Sequence, residues 1–187
     1  MYIPIKAKLF FYIMNEQTSI DLLHQAILTE TRRRLFEDSI QRLKKCLNFL
    51  TEAEIWYKPN EQSNSVGNLC LHLCGNARQW LMSGLGGHED IRQRQLEFDE
   101  KGPLASAQLV GMLDQLQVDL EEVLSKVTAE DLIGSYRVQG FEESGFGIVM
   151  HVVEHFSYHV GQVTYFVKAH KNLDTGYFEG ADLDAKG

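Results

Sequence analysis

The sequence predicts an all-α fold, a four-helix bundle, in a chain of 187 residues. Four long segments repeat apolar residues at alternating spacings of three and four, which places those residues on one face of a helix. The chain has only three prolines, so long helices can run without interruption. No segment shows a convincing core strand, and amphipathic helices then bury their apolar faces against one another in a single domain.

The first helix is predicted over residues 19–50, with Ser19 near its N-terminal cap. Residues 1–18 are an N-terminal extension whose apolar run, residues 9–14, is too short for a signal peptide and is followed by no small-residue cleavage site. Met14 is an alternative start, and we expect residues 1–13 to pack as a tail on the body or on a neighbour. The predicted stripe of the helix consists of Leu22, Ala26, Thr29, Arg33, Phe36, Ile40, Leu43, Leu47 and Leu50.

The second helix is predicted over residues 66–83, after a loop that holds Pro59-Asn60 and Ser63-Asn64. Ser65 can cap this helix, and Gly84 ends it. A long polar connection, residues 84–103, follows and has room for a short surface helix. The residues that we expect the second helix to bury are Val66, Leu69, Leu73, Ala77 and Trp80.

The third and fourth helices are predicted over residues 104–127 and 146–170. The residues that we expect the third helix to bury are Leu109, Leu113, Leu116, Leu120, Val123 and Val127. Pro103 stands at or just before the third, a favoured place for proline. The glycine-containing stretch between the two helices is either a short hairpin or a loop. The bundle domain therefore spans residues 19–170, and the polar tail 171–187 is expected to run over the surface. The predicted inward residues of the fourth helix are Ile148, Val152, His155, His159, Val163, Phe166 and Val167.

Composition excludes several classes of function. The net charge is −8, and phosphate backbones are bound by clustered basic charge, so a nucleic-acid partner is not expected. No apolar run is long enough to cross a membrane. Three cysteines, an odd number, fit poorly with a disulfide framework, and we therefore expect a cytoplasmic protein.

Three of the seven histidines, at positions 151, 155 and 159, lie within a stretch of nine residues. His155 and His159 are four residues apart, so both imidazoles point the same way from the fourth helix, as in a pair of metal ligands. His72 lies on the buried side of the second helix and is a candidate third ligand. Three imidazoles leave a coordination position open for water or substrate. Zinc or nickel suits such ligands, with iron and copper as further options.

Two alternatives stay open on spacing alone. These histidines can be hydrogen-bonded residues of the core, and His151 is also one turn from His155, so that the ligand pair can be 151 and 155. Asn76 and Gln162 lie on the same faces as the candidate ligands and are expected to orient them. Cys70 and Cys74 point about 160° away from His72 on the helical wheel and are interpreted as core thiols.

Two motifs resemble those of the DinB-like superfamily, within a branch known only as a domain of unknown function. They are Ser65-Val66-Gly67-Asn68-Leu69-Cys70-Leu71-His72-Leu73-Cys74-Gly75-Asn76, followed by Arg78-Gln79-Trp80, and Glu154-His155-Phe156-Ser157-Tyr158-His159-Val160-Gly161-Gln162. The resemblance covers about residues 20–170. It implies a four-helix bundle with a histidine triad for a divalent metal, here His72, His155 and His159, and it leaves His151 as a neighbour.

The resemblance also implies a class of chemistry. Characterised relatives include S-transferases that use low-molecular-weight thiols and a maleylpyruvate isomerase, so a thiol S-transferase acting on a small-molecule substrate is the first expectation. Relatives often have arginine where this chain has Val160, so the resemblance does not extend to their substrate class. The alternatives are a metal-dependent hydrolase and a non-catalytic metal-binding or stress-response bundle. Apolar faces such as residues 9–14 often pair subunits, so a homodimer is a further expectation.

Overall fold

The structure, a computed structural model, describes the backbone of residues 5–102 and 104–186 and, within these ranges, the side chains from residue 17 onward. It confirms the mainly helical bundle. Four long helical segments enclose one apolar core, and the only sheet within the described residues has two short strands. The long segments are α1 (Ile5–Arg32) continuing through a π-helical stretch (Arg33–Ile40) into α2 (Gln41–Phe49); α4 (Val66–Ala77) continuing through a second π-helical stretch (Arg78–Leu85); α6 (Ser106–Leu124); and α8 (Gly145–Lys171).

The first helix begins at Ile5, well before the predicted start at Ser19. No proline or glycine interrupts residues 5–49, so nothing in the backbone chemistry requires a break at Ser19. The apolar run 9–14 falls within this helix, but its side chains lie outside those that the structure describes. Its expected role in pairing subunits therefore stays a prediction.

The buried face of the first helix matches the predicted stripe only in its second half. Phe36, Ile40 and Leu47 are buried as predicted, whereas Leu22 is 66% exposed and Leu28 is buried instead. A π-helix has more residues per turn than an α-helix, so the stretch Arg33–Ile40 shifts the phase of the buried face. A buried face predicted at 3.6 residues per turn therefore cannot be correct on both sides of this stretch.

The other three helices bury the residues that the sequence predicts, except that three of those on α8, His155, His159 and Phe166, are only partly buried. α6 is shorter than predicted at both ends, although Val127, beyond its end, is still buried. Pro103, the predicted start signal, lies outside the described residues. None of the described helices has both the length and the apolar character needed to cross a membrane.

Short elements fill the connections. They are α3 (Glu52–Ile55), α5 (Arg94–Asp99), α7 (Ala129–Ile133) and the antiparallel strands β1 (Ser135–Val138) and β2 (Phe141–Ser144), in the register Ser135↔Ser144 to Val138↔Phe141. The hairpin alternative for this region is thus the observed one. Its turn places Gln139 and Gly140 at positive φ. The predicted surface helix exists as α5, but Glu97 on it is buried, and this matters for the site.

The C-terminal tail does more than run over the surface. Thr175 is buried, and the hydroxyl of Tyr177 lies 3.0 Å from Cys46 Sγ and 2.9 Å from Thr164 Oγ1. Burial raises the pKa of Tyr177 to about 12, so this phenol stays neutral. Leu173 and Tyr177 also pack against the apolar core, so residues 173–177 anchor a tail that is otherwise polar.

Candidate metal centre

α4 and α8 bring the three candidate histidines together. α4 starts with a capping box in which Ser65 and Asn68 satisfy each other's backbone N–H groups, and the Ser144 hydroxyl caps α8. With both helices fixed at their first turn, the ring centroid of His72 lies 4.9 Å from that of His155 and 5.2 Å from that of His159. The i, i+4 pair on α8 has a centroid separation of 4.5 Å.

The nitrogen atoms of these rings converge. One ring nitrogen from each of His72, His155 and His159 lies within 4.8 Å of the other two, and the Nε2 atoms of His72 and His155 are 2.9 Å apart. Imidazole nitrogens grouped in this way are the donors that zinc and similar divalent metals bind. The triad is therefore a set of side chains that can hold a metal ion.

Glu97 fixes the tautomer of His72. Its Oε2 lies 2.9 Å from Nδ1 of His72, and Arg92 donates to both oxygens of the same carboxylate at 2.7 and 2.8 Å. Arg92 Nη2 also lies 3.1 Å from Nδ1 of His72. Because a carboxylate paired with arginine only accepts hydrogen bonds, the bond to Glu97 requires the tautomer of His72 with its proton on Nδ1. Nε2, which lies 2.9 Å from Nε2 of His155, then carries the lone pair that a metal ligand requires.

The Arg92–Glu97 ion pair is buried against α4. Only 4% of the Arg92 side chain and 10% of the Glu97 side chain are exposed. Burial raises the pKa of the Glu97 carboxyl, but the hydrogen bonds and charges of Arg92 and His72 outweigh it, and the net pKa is lowered. Glu97 is therefore ionised at neutral pH, and its charge is matched by that of Arg92.

Two residues of α4 set the position of Glu97. The amide of Asn68, fully buried, donates to the backbone carbonyls of Glu97 and Glu100 at 2.9 and 2.8 Å and so ties α5 to α4. Gly75 leaves the space for the ion pair, because a Cβ at this position would collide with the Glu97 carboxylate. The motif glycine one turn beyond His72 thus makes room for the partner of His72.

Of the two residues predicted to orient the ligands, Gln162 contacts the triad. Its Oε1 accepts a hydrogen bond of 2.7 Å from Nδ1 of His159. Nε2 is then the nitrogen of His159 that is left for a metal. Asn76 instead contacts His151, with its Nδ2 3.2 Å from His151 Nε2. The ring of His151 stacks on Trp80 at a centroid separation of 3.6 Å, and His151 is not among the three converging residues.

The two triad imidazoles of α8, His155 and His159, are neutral at neutral pH. Burial, followed by the neighbouring charges of His159 and His72, lowers the pKa of His155 to about 3. Burial also lowers the pKa of His159. Protons therefore compete weakly for these nitrogens, and only a neutral imidazole binds a metal.

The triad opens onto a cleft of about 470 Å³. Its walls come from α4, α5, α8 and the loop before α4, and its lining residues are Asn64, His72, Arg94, Gln95, Phe98, His155 and His159. The Phe98 ring lies 4.9 Å from that of His72 and covers one side of it. A cleft at the donor atoms admits a small molecule to a bound metal, which a filled core would exclude.

The cysteines of α4 do not join the site. Cys70 and Cys74 are buried free thiols. A hydrogen bond between them, together with burial, raises the pKa of Cys70 well above its ordinary value, so this thiol stays protonated. Neither belongs to the converging donor set, in keeping with their interpretation as core thiols.

Sequence reasoning missed Arg92, Glu97 and Arg94. All three lie in the charged connection before the third helix, a composition typical of a solvated loop. The signal that can find them is the buried polar side of α4, where His72 and Asn68 both need partners from another element.

Gly75→Ala is expected to lower metal affinity about tenfold, the lower end of the loss seen when a ligand's hydrogen-bond partner is removed. The new Cβ displaces the Glu97 carboxylate from His72. Gly111→Ala on α6 is the control, because a Cβ there meets nothing within 4 Å and alanine is favoured over glycine inside a helix. Competition with a chromophoric chelator measures both affinities; equal affinity in the two variants would contradict the role assigned to Gly75.

Comparison with known proteins identifies the family. Residues 24–177 match the family DUF1572, described as a protein of unknown function, and no curated protein matches the chain. A conserved protein from Enterococcus faecalis has a similar structure, with 14% identity, a TM-score of 0.65, and coverage of 78% of this chain and 97% of its own. DinB-like proteins from Bacillus cereus (19% identity, TM-score 0.57, coverage 73% and 88%) and Bacillus subtilis (15%, 0.59, 80% and 94%) have the same fold. The chain belongs to the DUF1572 family and has a DinB-like fold.

Proposed function

We propose that this protein is a metal-dependent enzyme of the thiol S-transferase type, with zinc or nickel held by His72, His155 and His159. The observation that carries the proposal is the cleft at the triad, since three imidazoles that line an open cleft leave room for a further ligand. A volume of about 470 Å³ lies within the range of small-molecule sites.

The residues present fit such a metal. All three donors are imidazole nitrogens, two have their tautomers fixed by Glu97 and Gln162, and burial keeps His155 neutral. When bound, a divalent metal lowers the pKa of a thiol and makes a thiolate available at neutral pH. Glu97 and Gln162 hold the imidazoles in place, and Phe98 shields one face of His72 from water.

Thiol transfer to 1-chloro-2,4-dinitrobenzene tests the proposal. A panel of cellular low-molecular-weight thiols is supplied to the metal-loaded protein; the sulfur–carbon bond forms, the carbon–chlorine bond breaks, and the thiol proton and chloride are released to solvent. We expect turnover with at least one thiol, followed by the absorbance of the dinitrophenyl thioether. Chelated protein and His155→Ala are expected to show only the uncatalysed rate.

The two alternative functions, a hydrolase and a non-catalytic metal-binding protein, predict different experimental results. Metal-dependent cleavage of ester or amide substrates without any thiol would replace the transferase with a hydrolase. Stoichiometric metal with no turnover in either assay would leave a non-catalytic metal-binding protein. Both outcomes would contradict the proposed reaction while leaving the metal site in place.

A further inference from the structure

We infer that Arg94 makes the triad cleft a site for a carboxylate, carried either by the thiol or by its electrophilic partner. The assignment of the carboxylate to a co-substrate rests on the proposed function. Three features of Arg94 support its role: it lines the cleft, it has no ion-pair partner, and it stacks on an aromatic ring.

Arg94 is the one permanently charged residue that lines the cleft. The other lining side chains are the three imidazoles of the triad, two amides and Phe98. The nearby charges of Arg92 and Glu97 cancel in their own ion pair. Arg94 therefore contributes an uncompensated positive charge to a cleft in a chain whose net charge is −8.

The lack of a partner is unusual for an arginine of this protein. Six of the eight arginines form ion pairs with carboxylates, whereas among the described side chains Arg94 and Arg137 have none. With 26 acidic residues in the chain, an arginine without one is available for a ligand. Arg137 is exposed on β1 and does not line the cleft, which makes it a matched comparison.

Arg94 and His72 both contact the ring of Phe98. The guanidinium carbon lies 4.8 Å from the centre of the Phe98 ring, and the same ring lies 4.9 Å from that of His72. Stacking on an aromatic face leaves the N–H groups at the edge of the guanidinium free to donate. These donors match the two oxygens of a carboxylate, which is why we assign this anion class to the site.

Cobalt-loaded protein and two thiols of similar size test the inference. Mercaptoacetate carries a carboxylate and 2-mercaptoethanol does not, and binding of either is followed by the thiolate-to-cobalt charge-transfer absorption. We expect Arg94→Gln to weaken the binding of mercaptoacetate about tenfold, the value of one charge-assisted hydrogen bond. The affinity for 2-mercaptoethanol should be unchanged. Comparing each thiol between proteins cancels the intrinsic difference between the thiols.

Arg137→Gln is the control, since it removes an equal charge outside the cleft. Equal affinities of the Arg94→Gln and Arg137→Gln proteins for mercaptoacetate would overturn the inference. Absence of the absorption band with both thiols would instead overturn thiol activation. In that case, titration of acetate by calorimetry tests carboxylate binding by Arg94 without a thiol. Acetate binding that is lost only in Arg94→Gln supports the carboxylate site, and equal binding in both variants overturns it.

Discussion

His155→Ala is expected to abolish stoichiometric metal binding. His155 supplies the central contact of the triad, with its Nε2 2.9 Å from that of His72 and its ring 4.5 Å from that of His159. Loss of one of three ligands should cost more than the roughly 10–100-fold that removal of a ligand's hydrogen-bond partner costs. Elemental analysis of protein purified without an affinity tag measures the effect directly.

His151→Gln is the matched control on the same helix. His151 is one turn before His155 but contacts Asn76 and Trp80 instead of joining the donor cluster. We expect it to bind metal as the unchanged protein does. Loss of metal in His151→Gln with retention in His159→Ala would move the ligand pair to 151 and 155 and reject the triad.

Glu97→Ala is expected to lower the free energy of unfolding by about 3 kcal/mol, because it leaves the charge of Arg92 buried without its partner. The same change removes the acceptor for Nδ1 of His72 and should weaken metal binding about 10–100-fold. Urea unfolding of the chelated protein measures the first effect, and chelator competition measures the second. The two readouts separate stability from site geometry.

Two further variants test whether the loss of stability and the loss of metal affinity have separate causes. Arg92→Met combined with Glu97→Leu replaces the buried pair with apolar side chains, so stability should recover while metal affinity stays low. Glu121→Ala removes a solvent-exposed partner of Arg32 and should cost less than about 1 kcal/mol. If the double variant bound metal as tightly as the unchanged protein, Glu97 would have no part in supporting His72.

The spacing of residues along single helices was predictable from the sequence. His155 and His159 share a face because four residues advance an α-helix by slightly more than one turn, and Cys70 and Cys74 point away from His72 for the same reason. Periodicity likewise located the buried leucines of α6. Within one regular helix, local geometry is sufficient to say which side chains lie together.

The first helix shows where periodicity failed. Its predicted stripe crosses Arg33–Ile40, where the π-helical turns shift the buried face from the side of Leu22 to that of Leu28. The spacing of apolar residues along the sequence does not show where a helix changes its number of residues per turn. The boundary at Ser19 was wrong for a simpler reason, since a capping residue type is also tolerated inside a helix.

The sequence by itself determined the helical bundle, the pairing of His155 with His159 and the candidacy of His72, all of which follow from local periodicity and from motif resemblance. Only the tertiary structure decided that Arg92 and Glu97 leave the charged connection to be buried against α4, and that Arg94 faces the cleft. The physical reason is desolvation: the Arg92–Glu97 pair leaves water only where its remaining hydrogen-bonding groups find partners, and these, His72 and Asn68 on α4, are distant in sequence.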